Sequence, residues 1–414
     1  MSDSAGGAAA VPARKIKEAV PSYAWWILAI VYLGSIATTF NYYKVGAIMP
    51  TIIESLQISG TSAGWLMSSI SLVGMFIALP AGIIVKKFGL KKLGIVALAL
   101  LTIGNLIGGF SVSYEVLLLG RFVEGAARAL VAVVGPAAMA IWFPQSRRGV
   151  ATGVLSTWVG VGQFVALNSA ASIAGASGRF QTVFLVGAVA AAVALVLYAI
   201  WYRDHPPTGT KFAEDSAASG EPVAAPTIGQ VLKNKNIWLL GIMFMMFTGI
   251  IVATASFYPT YLKSGGMDLV VAGRLTSIFS ITPIILGPLF GILSDKIGSR
   301  KKIYTFGMIL GIIGAIFMYN LSGGMWPYVW MLMIGVTCGA VSSVALACPP
   351  EVVGREAAGL GVGIMITGNQ IGGFVSPLIL GAALDATGSF VTGSYIIAAM
   401  LAVGLICGLL VKVR

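Results

Sequence analysis

The stretch GIIVKKFGLKK, Gly82 to Lys92, returns 209 positions later as GILSDKIGSRK, Gly291 to Lys301. Each copy is a glycine, four intervening residues, a lysine, one further residue, a second glycine and then basic residues, and each closes a long apolar run. A fainter pair follows: FPQSRRGVATG from Phe143 resembles CPPEVVGREAAG from Cys348. A duplication at this separation predicts two comparable halves. In a membrane chain, a parallel repeat places a pseudo-two-fold axis along the membrane normal and a binding site between the halves near mid-membrane.

Outward from these loops the chain is apolar. Its 414 residues are 57% hydrophobic and 10% charged, against roughly 25% charged in an average soluble domain, and the mean hydropathy is +0.93. This excludes a soluble globular enzyme, a disordered chain and a disulfide scaffold, and leaves a polytopic helical membrane protein. The 53 glycines suit helices that approach closely in lipid. Cys338, Cys348 and Cys407 show no metal-ligand spacing, and the single histidine, His205, sits in a polar loop. No Walker-type phosphate loop is found. The expectation is therefore no cofactor, no metal and no enzymatic activity.

Twelve segments of roughly spanning length fall near 24–49, 62–85, 93–111, 115–142, 149–173, 180–202, 236–261, 269–292, 303–321, 326–347, 358–384 and 390–411. The predicted class is an all-α membrane protein, with twelve transmembrane helices in two six-helix bundles. Residues 1–22 form a polar tail without a secretory signal, 23–202 the first bundle, 203–235 a Pro/Ala/Ser-rich linker and 236–414 the second bundle. The first and eleventh segments are long, hold polar residues and are expected to bend. The formal charge of +12 has three candidate meanings: nucleic acid, anionic lipid or membrane topology. With a cytoplasmic N-terminus, 20 of the 26 Lys and Arg residues fall inside, and only Arg179 and Lys263 lie in outside loops. That asymmetry is the positive-inside signal, so a nucleic-acid partner loses its support. Both termini are expected in the cytoplasm, with the chain in a bacterial inner membrane.

The paired loops resemble the Gly-x-x-x-Asp-Lys/Arg-x-Gly-x-Arg-Lys signature of the major facilitator superfamily. RFVEGAARA, Arg121 to Ala129, is similar to that family's Arg-x3-Gly-x3-small motif in the fourth span. The resemblance covers essentially the whole chain. Within the family, NYYKVGAIMPTI (Asn41–Ile52), WYRDHP (Trp201–Pro206) and TGNQIGGFVSPLILG (Thr367–Gly381) resemble the anion:cation symporter branch of organic-anion transporters. The resemblance implies a secondary transporter, driven by a proton, sodium or counter-substrate gradient and able to work as a monomer. The chain departs from the branch at several positions. The glutamate expected seven residues after the motif arginine is Arg128, and the acid stands instead at Glu124. The usual Asp-Arg pair of the first span is Asn41-Tyr42. The arginine that oxalate and monocarboxylate carriers place before Pro-x-x-Gly is Gly287.

Arg128 lies near the middle of the fourth span, where a charge costs about 2.5–3.5 kcal/mol on insertion scales and needs a partner or water. Either it faces the cavity and binds an anion, or it pairs with Glu124 one turn earlier. Lys44 either supports the same anion, with Asn41, Tyr42 and Tyr43 shaping the site, or snorkels to the interface. Arg121 is a coupling residue or an anchor, and Glu124 a proton acceptor or a fixed ion-pair partner. Arg274 is read as an anchor. Gln163 and Asn168 of the fifth span and Asn369 and Gln370 of the eleventh either contact substrate or join helices. Tyr258 and Tyr261, around Pro259, form an outer gate or an aromatic belt. The loop motifs are gating elements: Gly82 and Gly89 in the first copy, Gly291, Asp295, Gly298 and Arg300 in the second. Lys86 replaces the acid in the first copy, so the inner gate is expected to be asymmetric and tied more firmly through Asp295.

The cationic excess within the spans points to a small organic anion, a carboxylate foremost. The rivals are an exporter of neutral or cationic compounds and a membrane sensor or enzyme. The fifth span lacks the Gly-Pro-rich antiporter motif of many drug exporters, the chain has no catalytic constellation, and its tails are short.

Overall fold

The computed structural model describes residues 20–78, 81–204, 228–319, 324–354 and 357–412. Most of the expected tail and linker, with His205, lies outside these residues. Gly82 and Lys86 fall within the fourth helix, but their side-chain surroundings lie outside what is described.

In the first half the helices are α1 (Ser22–Ala47), α2 (Met49–Leu56), α3 (Gly60–Ala78), α4 (Ala81–Phe88), α5 (Leu90–Gly109), α6 (Tyr114–Trp142), α7 (Gln145–Ser156), α8 (Trp158–Ser177) and α9 (Gln181–Trp201). In the second half they are α10 (Ile228–Lys233), α11 (Lys235–Ser264), α12 (Leu269–Thr276), α13 (Ile278–Ile297), α14 (Arg300–Phe317), α15 (Trp326–Ala345), α16 (Pro349–Val353), α17 (Ala358–Thr387) and α18 (Phe390–Leu410). Among the described residues, ten spans are long and apolar enough to cross a membrane on length and composition. The fourth and ninth, α6 and α14, complete the twelve. They carry Arg121, Glu124 and Arg128, and Arg300, Lys301 and Lys302, charges that lower their apolar signal.

The first span breaks at Ile48, just before Pro50, into α1 and α2, which is the expected bend. The eleventh runs instead as one 30-residue helix through Pro377, and the seventh runs through Pro259. Local chemistry sets the ends. Ser113, Asp268 and Ser389 cap α6, α12 and α18 by accepting backbone N–H bonds. The second glycine of each loop motif has left-handed backbone, Gly89 at φ 75° and Gly298 at φ 65°. This explains why glycine recurs at that point of the repeat.

Helix pairing repeats between the halves. α5 packs on α6 and α9, as α14 packs on α15 and α18; α1 packs on α8 and α9, as α11 packs on α17 and α18. Across the seam, α3 packs on α17, α8 on α13, and α1 on α11. These pairs are related by the two-fold exchange of the halves.

The two membrane faces differ. The face that carries the start of α1 and the repeated loops is called here the basic face, and its opposite the far face. At the far face the seam is tight. The Asp385 carboxylate, at the end of α17, accepts from the backbone N–H groups of Gly60 (2.6 Å) and Thr61 (2.8 Å) and from the Thr61 hydroxyl (2.6 Å), so it caps α3 from the other half. Gly60 and Gly381 bring the two backbones so close that a Cβ on either would collide with the other's carbonyl oxygen. Lys263 and Glu54 add an exposed ion pair of 3.3 Å across the same seam, an arrangement of small stabilising value.

Candidate functional site

The charged residues of the fourth span do not act alike. The Glu124 carboxylate is shared: one oxygen lies 3.0 Å from Lys44 Nζ and the other accepts from the Arg121 guanidinium. Lys44 also donates to the Asn41 side-chain oxygen (2.7 Å) and to Asn105 of α5, and its ammonium lies 3.8 Å from the centre of the Phe184 ring of α9. Arg121 donates from Nε to the Leu66 carbonyl (2.8 Å), from Nη1 to the Asn41 carbonyl (2.6 Å) and from Nη2 to the Tyr42 carbonyl (3.0 Å). Lys44 and Arg121 are both 0% exposed. The cluster therefore fastens α1, α3, α5, α6 and α9 to one another. Two cations share one carboxylate, and the remaining positive charge is offset by amide oxygens, backbone carbonyls and a ring face. Gly187 of α9 makes room for it, since a Cβ there would collide with the Asn41 and Asn105 side-chain oxygens.

Arg128 stands apart from that network. The intrahelical pair with Glu124 does not form; the Glu124 carboxylate is directed to Lys44 and Arg121 instead. The guanidinium carbon lies 4.3 Å from the centre of the Tyr42 ring and 5.8 Å from that of Trp158, and Nη1 is buried with no hydrogen-bond partner. A buried unpaired guanidinium nitrogen is costly, and an anion brought to it satisfies both its charge and its donors. Arg128 follows Arg121 by seven residues, nearly two helical turns, so the two lie on similar sides of α6. Both arginines address Tyr42, one through its carbonyl and the other through its ring.

The Arg128 locality is at the seam. The Tyr42 hydroxyl is 3.2 Å from Ser71 Oγ on α3, and a Cβ on Gly373 of α17 would lie 2.7 Å from the same Ser71 oxygen and 3.6 Å from the Tyr42 oxygen. Tyr43 is buried, its ring edge-on to Tyr42 at 4.6 Å. Gln370 of α17 presses its amide against Gly74 of α3, where any Cβ would collide with it. Gln163 is buried and its Nε2 has no partner. Around α8, Gln163 falls between Gly162, which faces Thr39 of α1, and Gly160, which faces Ser280 and Ile284 of α13. It thus points into the seam, away from exposed Val165. Ser71, Trp158, Gly373 and the Asp385 cap were not singled out in the sequence, and nor was Asn105. The one signal for Asn105 was a lone amide in an apolar span.

Other expected residues sit elsewhere. Asn369 donates to Thr248 Oγ1 (2.8 Å) and joins α17 to α11 within the second half, and Asn168 bonds its own helix at the Phe164 carbonyl. Tyr258 and Tyr261 are stacked at 5.8 Å and pack with Tyr319, which stacks in turn on Phe390. They form an aromatic knot inside the second half. Arg274 is exposed. Gly291 and Gly298 have open space around them. Arg300 bonds the Ala347 carbonyl and pairs with Glu351 at 3.1 Å, within its own half. Asp295 is exposed, and no ion pair to it forms among the described residues. In the first copy, Asp204 from the end of the sixth span accepts from the Lys91 N–H (2.7 Å), at the start of α5. That is where the Asp-less loop receives its negative charge.

Comparison with known proteins agrees with this architecture. The chain is similar to a probable sulfoacetate transporter of Cupriavidus necator, 24% identical and covering 93% of each chain. It is similar to a probable galactarate/D-glucarate transporter of Bacillus subtilis, 25% identical over 94% of this chain and 92% of the relative. A nitrite extrusion protein of Bacillus subtilis is 23% identical over 88% and 89%. In fold it resembles a bacterial homolog of the human lysosomal transporter Spinster, with a TM-score of 0.77 at 13% identity over 94% and 96% of the two chains. It also resembles the nucleoside transporter NupG, at 0.74 and 15% over 95% and 100%. The family model described as Major Facilitator Superfamily matches residues 31–377 and 266–414, and the chain belongs to that superfamily.

Proposed function

We propose that this transporter moves a small organic anion, a carboxylate foremost, by alternating access of a site between the two halves, with Arg128 as the charge that binds it. The observation that carries this reading is the buried Arg128 Nη1 without a partner, beside Tyr42 at the seam, while the nearest acid is consumed by other cations. Such a charge repels cationic cargo, which disfavours the reading as a drug exporter. The relatives named for sulfoacetate, galactarate/D-glucarate and nitrite are in keeping with anionic cargo.

In this proposal Tyr42, Tyr43, Gln163 and Gln370 shape the site, and Lys44, Arg121 and Glu124 hold the first half rigid around it. The basic face is cytoplasmic, by the positive-inside rule. Rocking of the halves breaks the far-face contacts of Asp385 and opens that side, while the loops with Gly89, Asp295 and Gly298 close the other. An ion or counter-substrate gradient supplies the free energy. The test is uptake of labelled carboxylates and nitrate into proteoliposomes. Uptake by the native chain and its loss in Arg128→Gln is expected, and full activity in that variant removes Arg128 from the site.

A further inference from the structure

We infer that the seam site selects singly charged anions over dianions of the same size. This rests on the assignment of Arg128 as the anion-binding residue and adds the charge state of the cargo to it.

Three cations of the described residues lie inside the first half's spans: Lys44, enclosed in the last turn of α1, and Arg121 and Arg128 of α6. Two of them are unable to serve a ligand. Lys44 and Arg121 are fully enclosed, hold Glu124 between them and spend their donors on Asn41, Asn105 and the carbonyls of Leu66 and Tyr42. Turning either toward the seam strands a buried carboxylate and several amide and carbonyl oxygens. Arg128 alone offers unpaired guanidinium donors.

What lines the seam opposite it is neutral, and the excess positive charge of the Lys44–Arg121–Glu124 cluster is spent on the oxygens that enclose that cluster. The Gln163 amide has a free buried donor, and Ser71 and Tyr42 present hydroxyls. The second half brings a glycine, Gly373, and the Gln370 amide, with no charge in the middle of its spans. One carboxylate, sulfonate or nitrate group on Arg128 is therefore matched in charge. Neutral amides and hydroxyls suit a tail of hydroxyl, carbonyl or amide groups. A second ionised group would lose its water and gain no counter-charge. Selectivity then comes from what the site withholds, as well as from what it offers.

The discriminating ligands are isosteric pairs in which one carboxylate becomes an amide: succinate against succinamate, and malonate against malonamate. Titration calorimetry on the purified full-length chain at neutral pH, where both diacids are doubly ionised, reads the difference. Each monoamide is expected to bind at least about tenfold more tightly than its diacid. Arg128→Lys, which keeps the charge, retains that order with weaker binding, and Arg128→Gln loses both. Diacids that bind as tightly as their monoamides, or more tightly, overturn the inference and leave the anion-transport proposal standing. If neither these four acids nor nitrate binds the native chain, that proposal falls, and the inference with it.

Discussion

The two halves share a fold and divide the chemistry. The first half holds every charge that lies deep in the spans: Lys44, Arg121, Glu124 and Arg128. In the second half the charged residues sit at helix ends, among them Lys263, Asp268, Arg274, Asp295 and Asp385, and the interior is aromatic and neutral. In the proposed transporter one architecture thus serves as an electrostatic reader on one side of the seam and as a neutral wall with a far-face cap on the other. Charge in lipid is expensive, so concentrating it in one half allows a single carboxylate and a set of carbonyls to serve several cations. The second half carries almost none of that cost.

The largest expected effect comes from breaking the reader's own foundation. Glu124→Gln leaves Lys44 and Arg121 enclosed without a counter-charge and should cost about 3–5 kcal/mol of stability, seen as a steep fall in thermal unfolding temperature in detergent. Adding Lys44→Met should recover part of that loss, and a double variant worse than the single would contradict the shared-carboxylate picture. Arg128→Gln, four residues from Glu124 on the same helix, should do the opposite. It costs about 1.5–3 kcal/mol of anion binding, with little or no loss of thermal stability because it breaks no hydrogen bond. A large destabilisation would mean that Arg128 is structural. Gly187→Ala places a methyl group against the Asn41 and Asn105 oxygens and should destabilise by about 1–3 kcal/mol; an unchanged melting curve would mean that the cluster is loosely packed. The smallest effect tests the second half. Asp385→Ala removes a helix cap worth about 1 kcal/mol and should raise labelling of a far-face cysteine reporter several-fold. Unaltered labelling would show that the glycine contact of α3 and α17 holds that face by itself.

Much of the fold was legible because the repeat, the spanning apolar segments and the basic loops are local or periodic signals. The site was half legible. Charges in lipid-length segments stand out, so Lys44, Arg121, Glu124 and Arg128 could all be found by reading the chain. Their division into a locked cluster of Lys44, Arg121 and Glu124 and an Arg128 outside it could not. The sequence offered Glu124 to Arg128 one turn away, but the fold turns it to Arg121 and to Lys44, which reaches it across 80 positions. The same holds for Asp385, whose partners lie 324 and 325 positions away.

By itself, then, the sequence determined the class, the twelve spans, the duplication and the roster of buried charges, because lipid imposes length and polarity on each segment separately. Only the tertiary structure decided which cation is left unpaired, since that depends on which helices meet. It set Arg128 at the seam beside Tyr42 and enclosed Lys44 among α1, α5, α6 and α9. A pairing between helices is a property of neither one alone.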